Sequence, residues 1–138
     1  MTSTVTILVV EDEPLILDVL QAVLTDGGYE VVKAQDGAAA LAVIEADVAR
    51  FRAIITDVRL GSGPDGWAIA ARAREIAPHL PVVYMTGDST HEWASKGVPG
   101  SVVLSKPFAP AQLVTTVSTL VTEADQHAPP APETGSNL

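Results

Sequence analysis

Five short aliphatic runs, each followed by a polar loop and then by residues at helical spacing, constrain this chain more than any other feature. The first, Val5-Thr6-Ile7-Leu8-Val9-Val10, is almost wholly apolar and rich in β-branched residues, the composition of a parallel strand covered on both faces. Val31-Val32-Lys33-Ala34, Ala53-Ile54-Ile55, Leu80-Pro81-Val82-Val83-Tyr84-Met85 and Ser101-Val102-Val103-Leu104 follow at regular intervals. Pro14, a favoured first helical residue, opens a stretch in which Leu15, Ile16, Val19, Leu20, Val23 and Leu24 repeat at helical spacing until Gly27-Gly28. A second helix follows Asp36-Gly37, with Leu41, Ile44 and Val48 on one face. A third follows Asp65-Gly66, with Trp67, Ala70, Ala73, Ile76 and Ala77 inward. Ser89 to Lys96 has room only for a short helix, and a last one runs from Pro110 to about Glu123, with Leu113, Val117, Leu120 and Val121 as its apolar stripe. Strands alternating with helices predict a doubly wound parallel sheet with right-handed crossovers and helices on both faces.

At 138 residues the chain fits one domain of residues 1–124, followed by a proline-bearing tail, 125–138, without apolar periodicity and expected to be disordered. Apolar residues at 47% and charged residues at 18% are globular proportions. The net charge of −9 and the lack of any Lys/Arg cluster argue against a nucleic-acid partner, which needs a basic face. There is no cysteine, so disulfides and thiolate metal sites are excluded, and His79, His91 and His127 lack metal-ligand spacing. The first residues carry no basic leader, and no apolar run approaches the roughly 20 residues that span a bilayer. A cytoplasmic protein with no membrane partner is expected.

Parallel sheets of this kind bind ligands outside the carboxyl ends of their strands. The first run ends at Glu11-Asp12, the third at Asp57, the fourth at Thr86 and the fifth at Lys106. With strand order 2-1-3-4-5, the first and third strands are neighbours and three carboxylates converge. Close carboxylates need a cation, and an oxygen-only ligand set favours Mg²⁺. Lys106 and Thr86 supply an ammonium and a hydroxyl for phosphoryl oxygens, so the set reads as a phosphoryl-transfer site. Singly, each residue has a plainer reading: the acids as charges at a helix N-terminus, Thr86 as a turn residue, Lys106 as a solvated cation.

The segments Val9-Val10-Glu11-Asp12-Glu13-Pro14, Ile54-Ile55-Thr56-Asp57, Tyr84-Met85-Thr86-Gly87-Asp88 and Leu104-Ser105-Lys106-Pro107-Phe108 resemble, in that order, the motifs of response-regulator receiver domains of two-component signalling. The resemblance covers residues 5 to about 123. It implies a flavodoxin-like (βα)₅ fold and an Asp57 phosphorylated by a partner histidine kinase or histidine phosphotransferase. It further implies that Asp12, Asp57 and the backbone carbonyl of Arg59 bind Mg²⁺, with Glu11 helping through water. Lys106 would pair with the phosphoryl group, Thr86 and Gly87 would form the switch beside it, and Lys106-Pro107 would be a cis peptide. By analogy the face formed by helix 4, strand 5 and helix 5 docks a downstream target. The expected protein is a stand-alone receiver, a phosphoacceptor and not an enzyme in the ordinary sense.

Three departures from the family pattern stand out. Glu11 replaces the more usual Asp, Gly61 replaces a usual Pro, and Val103 stands where many receivers carry a switch aromatic. The missing ring shifts the expected output to residues 89–100, including His91 and Trp93. Arg59 and Asp88 should rim the site, where a salt bridge could hinder an attacking water; the alternative is two exposed charges worth little to each other. Two rival functions are weaker. A hydrolase using Asp57 as nucleophile lacks a clear general acid/base, and a nucleotide or flavin site would need a Gly-rich loop where the chain has Glu11-Asp12-Glu13-Pro14.

Overall fold

In the computed structural model, which describes residues 4–127, the five runs form one parallel sheet. The elements are β1 (Thr6–Val10), α1 (Pro14–Asp26), β2 (Glu30–Ala34), α2 (Gly37–Asp47), β3 (Ala53–Asp57), α3 (Gly66–Ile76), β4 (Val82–Thr86), α4 (Trp93–Lys96), β5 (Val102–Ser105) and α5 (Pro110–His127). Single 3₁₀ turns follow α2 (Val48–Arg50) and precede α4 (Thr90–Glu92). The strand order is β2-β1-β3-β4-β5, as expected for a flavodoxin-like sheet. The register sets Val10 beside Thr56, Asp57 beside Met85 and Thr86 beside Ser105, so the carboxyl ends of the central strands are level. From β1 the chain winds outward to β2 and then returns to β3 on the other side. The loops leaving these two neighbours therefore diverge and open a crevice between them.

Strand alternation divides the core. Ile7, Val9, Ile55, Val83 and Met85 face Leu17, Leu20 and Leu24 of α1 and Leu113, Val117 and Val121 of α5. Leu8, Val10 and Ile54 face Ala40 and Ile44 of α2 and Ile69 and Ala73 of α3. Trp67 packs beside the sheet as expected, its ring centroid 4.6 Å from that of Tyr84. No helix among the described residues is long and apolar enough to cross a membrane.

The structure fixes the inward face of α1 and corrects two expectations, in α3 and in the last helix. In α1 the buried stripe is Leu17, Leu20 and Leu24, while Leu15 and Val19 are 80% and 59% exposed. The helix carries apolar residues on more than one face, so spacing alone could not choose the inner one. In α3 Ile69 is buried, whereas Ile76, expected inward, lies outward at the last residue of the helix. The last helix continues to His127, past the end expected at about Glu123, since the next proline in the sequence after Pro110 is Pro129. An ion pair between Arg52 and Asp125 ties this extra turn to the start of β3. The rest of the expected tail, 128–138, lies outside the described residues.

Candidate functional site

The site is built at the carboxyl ends of β1, β3, β4 and β5. Glu11 leaves β1 directly and is wholly buried, with its N–H donating to the Ala34 carbonyl at 3.1 Å. Its Oε2 accepts the Glu13 N–H at 3.1 Å, and its Oε1 accepts from Lys106 Nζ at 3.1 Å. Asp12, next in the chain, is exposed at the mouth. Asp57 is the last residue of β3 and also buried; its Oδ2 accepts from the same Lys106 Nζ at 3.1 Å. Its carbonyl accepts the Thr56 hydroxyl at 2.8 Å. Lys106 is set by its own backbone, the N–H donating to the Thr86 carbonyl at 2.8 Å, and the Lys106–Pro107 peptide is cis as expected. α3 begins hard against β3: a Cβ at Gly66 would lie 2.3 Å from the Asp57 carbonyl oxygen, so only glycine fits.

Glu11, Asp12 and Asp57 thus converge, one carboxylate oxygen from each lying within 4.8 Å of the others. Burial, opposed in part by the Glu13 N–H and Lys106, leaves the Glu11 carboxyl above its usual value. Burial works against the Lys106 ammonium, but the hydrogen bonds to Glu11 and Asp57 prevail and hold it above its usual value. One ammonium among three carboxylates leaves a negative surplus that a divalent cation would neutralise. The donors are hard oxygens with no imidazole or thiolate, and they fit Mg²⁺.

Thr86 ends β4 and is buried. Its Oγ1 accepts the N–H groups of Asp88 at 3.2 Å and Ser89 at 2.9 Å, capping the turn that leads to α4. Open space surrounds the position a side chain at Gly87 would take. The Arg59 side chain reaches over the rim, Nε donating to Asp88 Oδ1 at 3.1 Å, the pair anticipated from their offsets. Gly61 has φ +75, a left-handed conformation that proline's ring forbids, which accounts for the missing Pro.

Val103 is partly buried against Trp67 and Tyr84, and it pairs with Tyr84 across β4 and β5. The aromatic mass lies on β4 and α3 instead. The Tyr84 hydroxyl accepts the Val98 N–H at 3.1 Å, and Trp93 Nε1 donates to Ser101 Oγ at 2.9 Å. Sequence reasoning missed Tyr84, Ser89, Ser101 and the Glu11–Lys106 contact; only Ser89, three residues after Thr86, has a partner close enough in sequence to be read as a turn.

A family model for the response regulator receiver domain matches residues 7–118. The transcriptional regulatory protein TcrA of Mycobacterium tuberculosis is 33% identical over 135 residues, covering 96% of this chain and 52% of TcrA. The chain spans about half the length of the curated relatives it matches first. Among solved structures, a response regulator receiver protein from Sinorhizobium medicae superposes with a TM-score of 0.85 at 43% identity, covering 88% of this chain and 98% of that one. The receiver domain of the sensor histidine kinase PA1611 from Pseudomonas aeruginosa, 28% identical, covers 87% of this chain and 99% of its own with a TM-score of 0.74; it carries a magnesium ion in its active-site cleft. On sequence and fold together, this chain belongs to the response regulator receiver domain family of two-component signalling.

Proposed function

We propose that Asp57 accepts a phosphoryl group from a phosphohistidine on a partner kinase or phosphotransferase, and that the modified chain either passes the group on or binds a target. The observation that carries this reading is Lys106 Nζ, held 3.1 Å from Asp57 beside a convergent carboxylate cluster at the sheet's carboxyl edge. In the transfer, an Asp57 carboxylate oxygen attacks phosphorus and the new P–O bond forms as the P–N bond breaks. The electron pair leaves with the imidazole, which departs neutral when its other nitrogen is protonated. Asp12, Asp57 and the Arg59 carbonyl, with Glu11 helping through water, would hold Mg²⁺, which when bound neutralises the charge on the phosphoryl oxygens. The Lys106 ammonium moves from the Asp57 oxygen to a phosphoryl oxygen, and Thr86 turns from the Asp88 and Ser89 N–H groups toward the same phosphoryl.

Two surfaces serve the partners. Leu15 and Val19 expose apolar area on α1, whose first turn flanks the mouth of the site. There a donor that brings its histidine to Asp57 would have to dock. A downstream target fits the face of α4, β5 and α5, where the edge strand leaves Val102 and Val103 only partly covered.

Intact mass spectrometry after incubation with Mg²⁺ and acetyl phosphate tests the reading. One phosphoryl adduct is expected, lost without Mg²⁺ and absent from Asp57→Asn. If Asp57→Asn carries the same adduct, the acceptor assignment is wrong. If no adduct forms with acetyl phosphate or with a phosphorylated histidine kinase, the reading fails.

A further inference from the structure

We infer that Glu92 is a positioning residue for the switch, whose carboxylate takes over the Ser89 N–H when Thr86 turns to the phosphoryl group. This deepens the reading of Asp57 as acceptor and rests on it. The two N–H groups held by the Thr86 hydroxyl differ in what surrounds them. Asp88 is exposed, so water receives its N–H once Thr86 leaves. Ser89 is 0% exposed, and its N–H donates to Thr86 Oγ1 at 2.9 Å. A buried N–H without an acceptor is costly, so the departure of Thr86 calls for a second acceptor close by.

The segment Ser89-Thr90-His91-Glu92 supplies one. Ser89 caps the turn Thr90–Glu92 that runs into α4, and a Glu three residues after a capping Ser is spaced to reach back to its N–H. The Glu92 N–H already donates to the Ser89 carbonyl at 3.0 Å, so the fold sets that spacing before any switch. Glu92 is half-buried, and its Oε2 accepts from Lys96 Nζ at 2.6 Å. No N–H donates to its Oε1 among the described residues. The Lys96 hydrogen bond and, more weakly, the Ser89 hydroxyl hold the carboxyl below its usual value, so the second acceptor is charged and near. Asp88 is the poorer candidate: its Oδ1 already accepts Arg59 Nε and the Ser89 hydroxyl. Glu92 can take the Ser89 N–H on Oε1 while Oε2 stays on Lys96. Its partial exposure makes this second hold looser than the first.

Removing the Thr86 hydroxyl isolates the step without phosphorylation. In a crystal structure of full-chain Thr86→Val, the Ser89 N–H should donate to Glu92. An N–H found on water or on Asp88 would overturn the inference. Amide exchange at Ser89, followed by NMR, supplies the second measurement. It should quicken in Thr86→Val, and quicken about a further tenfold in Thr86→Val/Glu92→Ala, the scale of one charge-assisted bond. Glu92→Ala alone should stay within about threefold of wild type, because Thr86 still holds the amide. In the Thr86→Val background, Glu92→Gln keeps an acceptor oxygen and should retain most of the protection. Lys96→Met there should change exchange less than about threefold, since the ion pair is not what protects Ser89. An equal effect of Glu92→Ala with and without the Thr86 hydroxyl would reduce Glu92 to a structural role and sink the inference. The phosphorylated chain repeats the comparison should Thr86→Val fail to fold. With Mg²⁺ and acetyl phosphate in excess, Ser89 in Glu92→Ala should exchange about tenfold faster than in wild type. A chain phosphorylated on Asp57 that shows no such difference would sink the role of Glu92 alone. The expected Thr86→Val results in a chain whose Asp57 takes no phosphoryl group would sink the acceptor reading and leave Glu92 as the second holder of Ser89.

Discussion

Arg59 and Asp88 make a well-formed contact that water should nearly cancel. Their side chains are 69% and 65% exposed, and such pairs are screened and entropically costly. Asp88 also accepts the Ser89 hydroxyl at 2.9 Å, so it stays oriented without the arginine. Arg59→Ala should therefore leave the rate of phosphoryl loss from Asp57 within about twofold of wild type. A several-fold faster decay, followed by mass or radiolabel, would show instead that the pair gates the attacking water. Exposed carboxylates also shape the acid limb of stability. The Arg72 hydrogen bond holds the Glu45 carboxyl below its ordinary value, and Arg59 does the same for Asp88. A carboxyl depressed in the folded state adds stability above its unfolded value, and that stability is lost as pH falls through the folded one. Urea midpoints measured from pH 7 down to pH 3 should fall, and Glu45→Gln should flatten that slope slightly, the more so at low salt. At this scale Asp12, Asp57 and Lys106 stand out in the sequence as candidates because each lies two residues beyond the last aliphatic residue of a run. The Glu11–Lys106 contact does not, since 95 positions separate the partners.

At the scale of elements, the segment from Gly87 to Gly100 is held by two residues of β4. The Thr86 hydroxyl takes the Asp88 and Ser89 N–H groups at its start, and the Tyr84 hydroxyl takes the Val98 N–H near its end. If Thr86 turns to a phosphoryl group, it abandons the first hold while the second persists. Amide exchange in 89–96 should then rise on phosphorylation more than at Val98, and Thr86→Ala should exchange fast in that stretch before any phosphorylation. Unchanged exchange across 89–100 would remove this segment from the output path. Gly97, Pro99 and Gly100 are plain in the sequence, but the strand that holds the stretch could not be read from them. Arg74 ties the same region to α3, Nε donating to the Leu80 carbonyl and Nη1 to the Pro99 carbonyl, each at 2.6 Å. Arg74→Met should cost about 1–2 kcal/mol in urea unfolding, the size of charge-assisted bonds near a surface. A loss below a few tenths would mean that water replaces those bonds freely.

Across the whole molecule, stability rests on a sheet covered on both faces. Ile55 is fully buried between β1 and β4 and faces α1 and α5. Ile55→Ala should cost about 2–5 kcal/mol by leaving a cavity that rigid neighbours cannot fill. A smaller loss by denaturant titration would indicate a core able to collapse around the gap. The alternation of apolar runs and helical periods, visible in the sequence alone, settled the element order, the parallel sheet and the edge that would carry the chemistry. It could do so because strand and helix periodicities are local, and because parallel neighbours must be joined by crossovers. Which face of α1 turns inward, how Thr86 is engaged, what Val103 packs against, and that Glu11 meets Lys106 were decided only by the tertiary structure. Each depends on groups distant in sequence that meet once the strands align, and no local pattern records such a meeting.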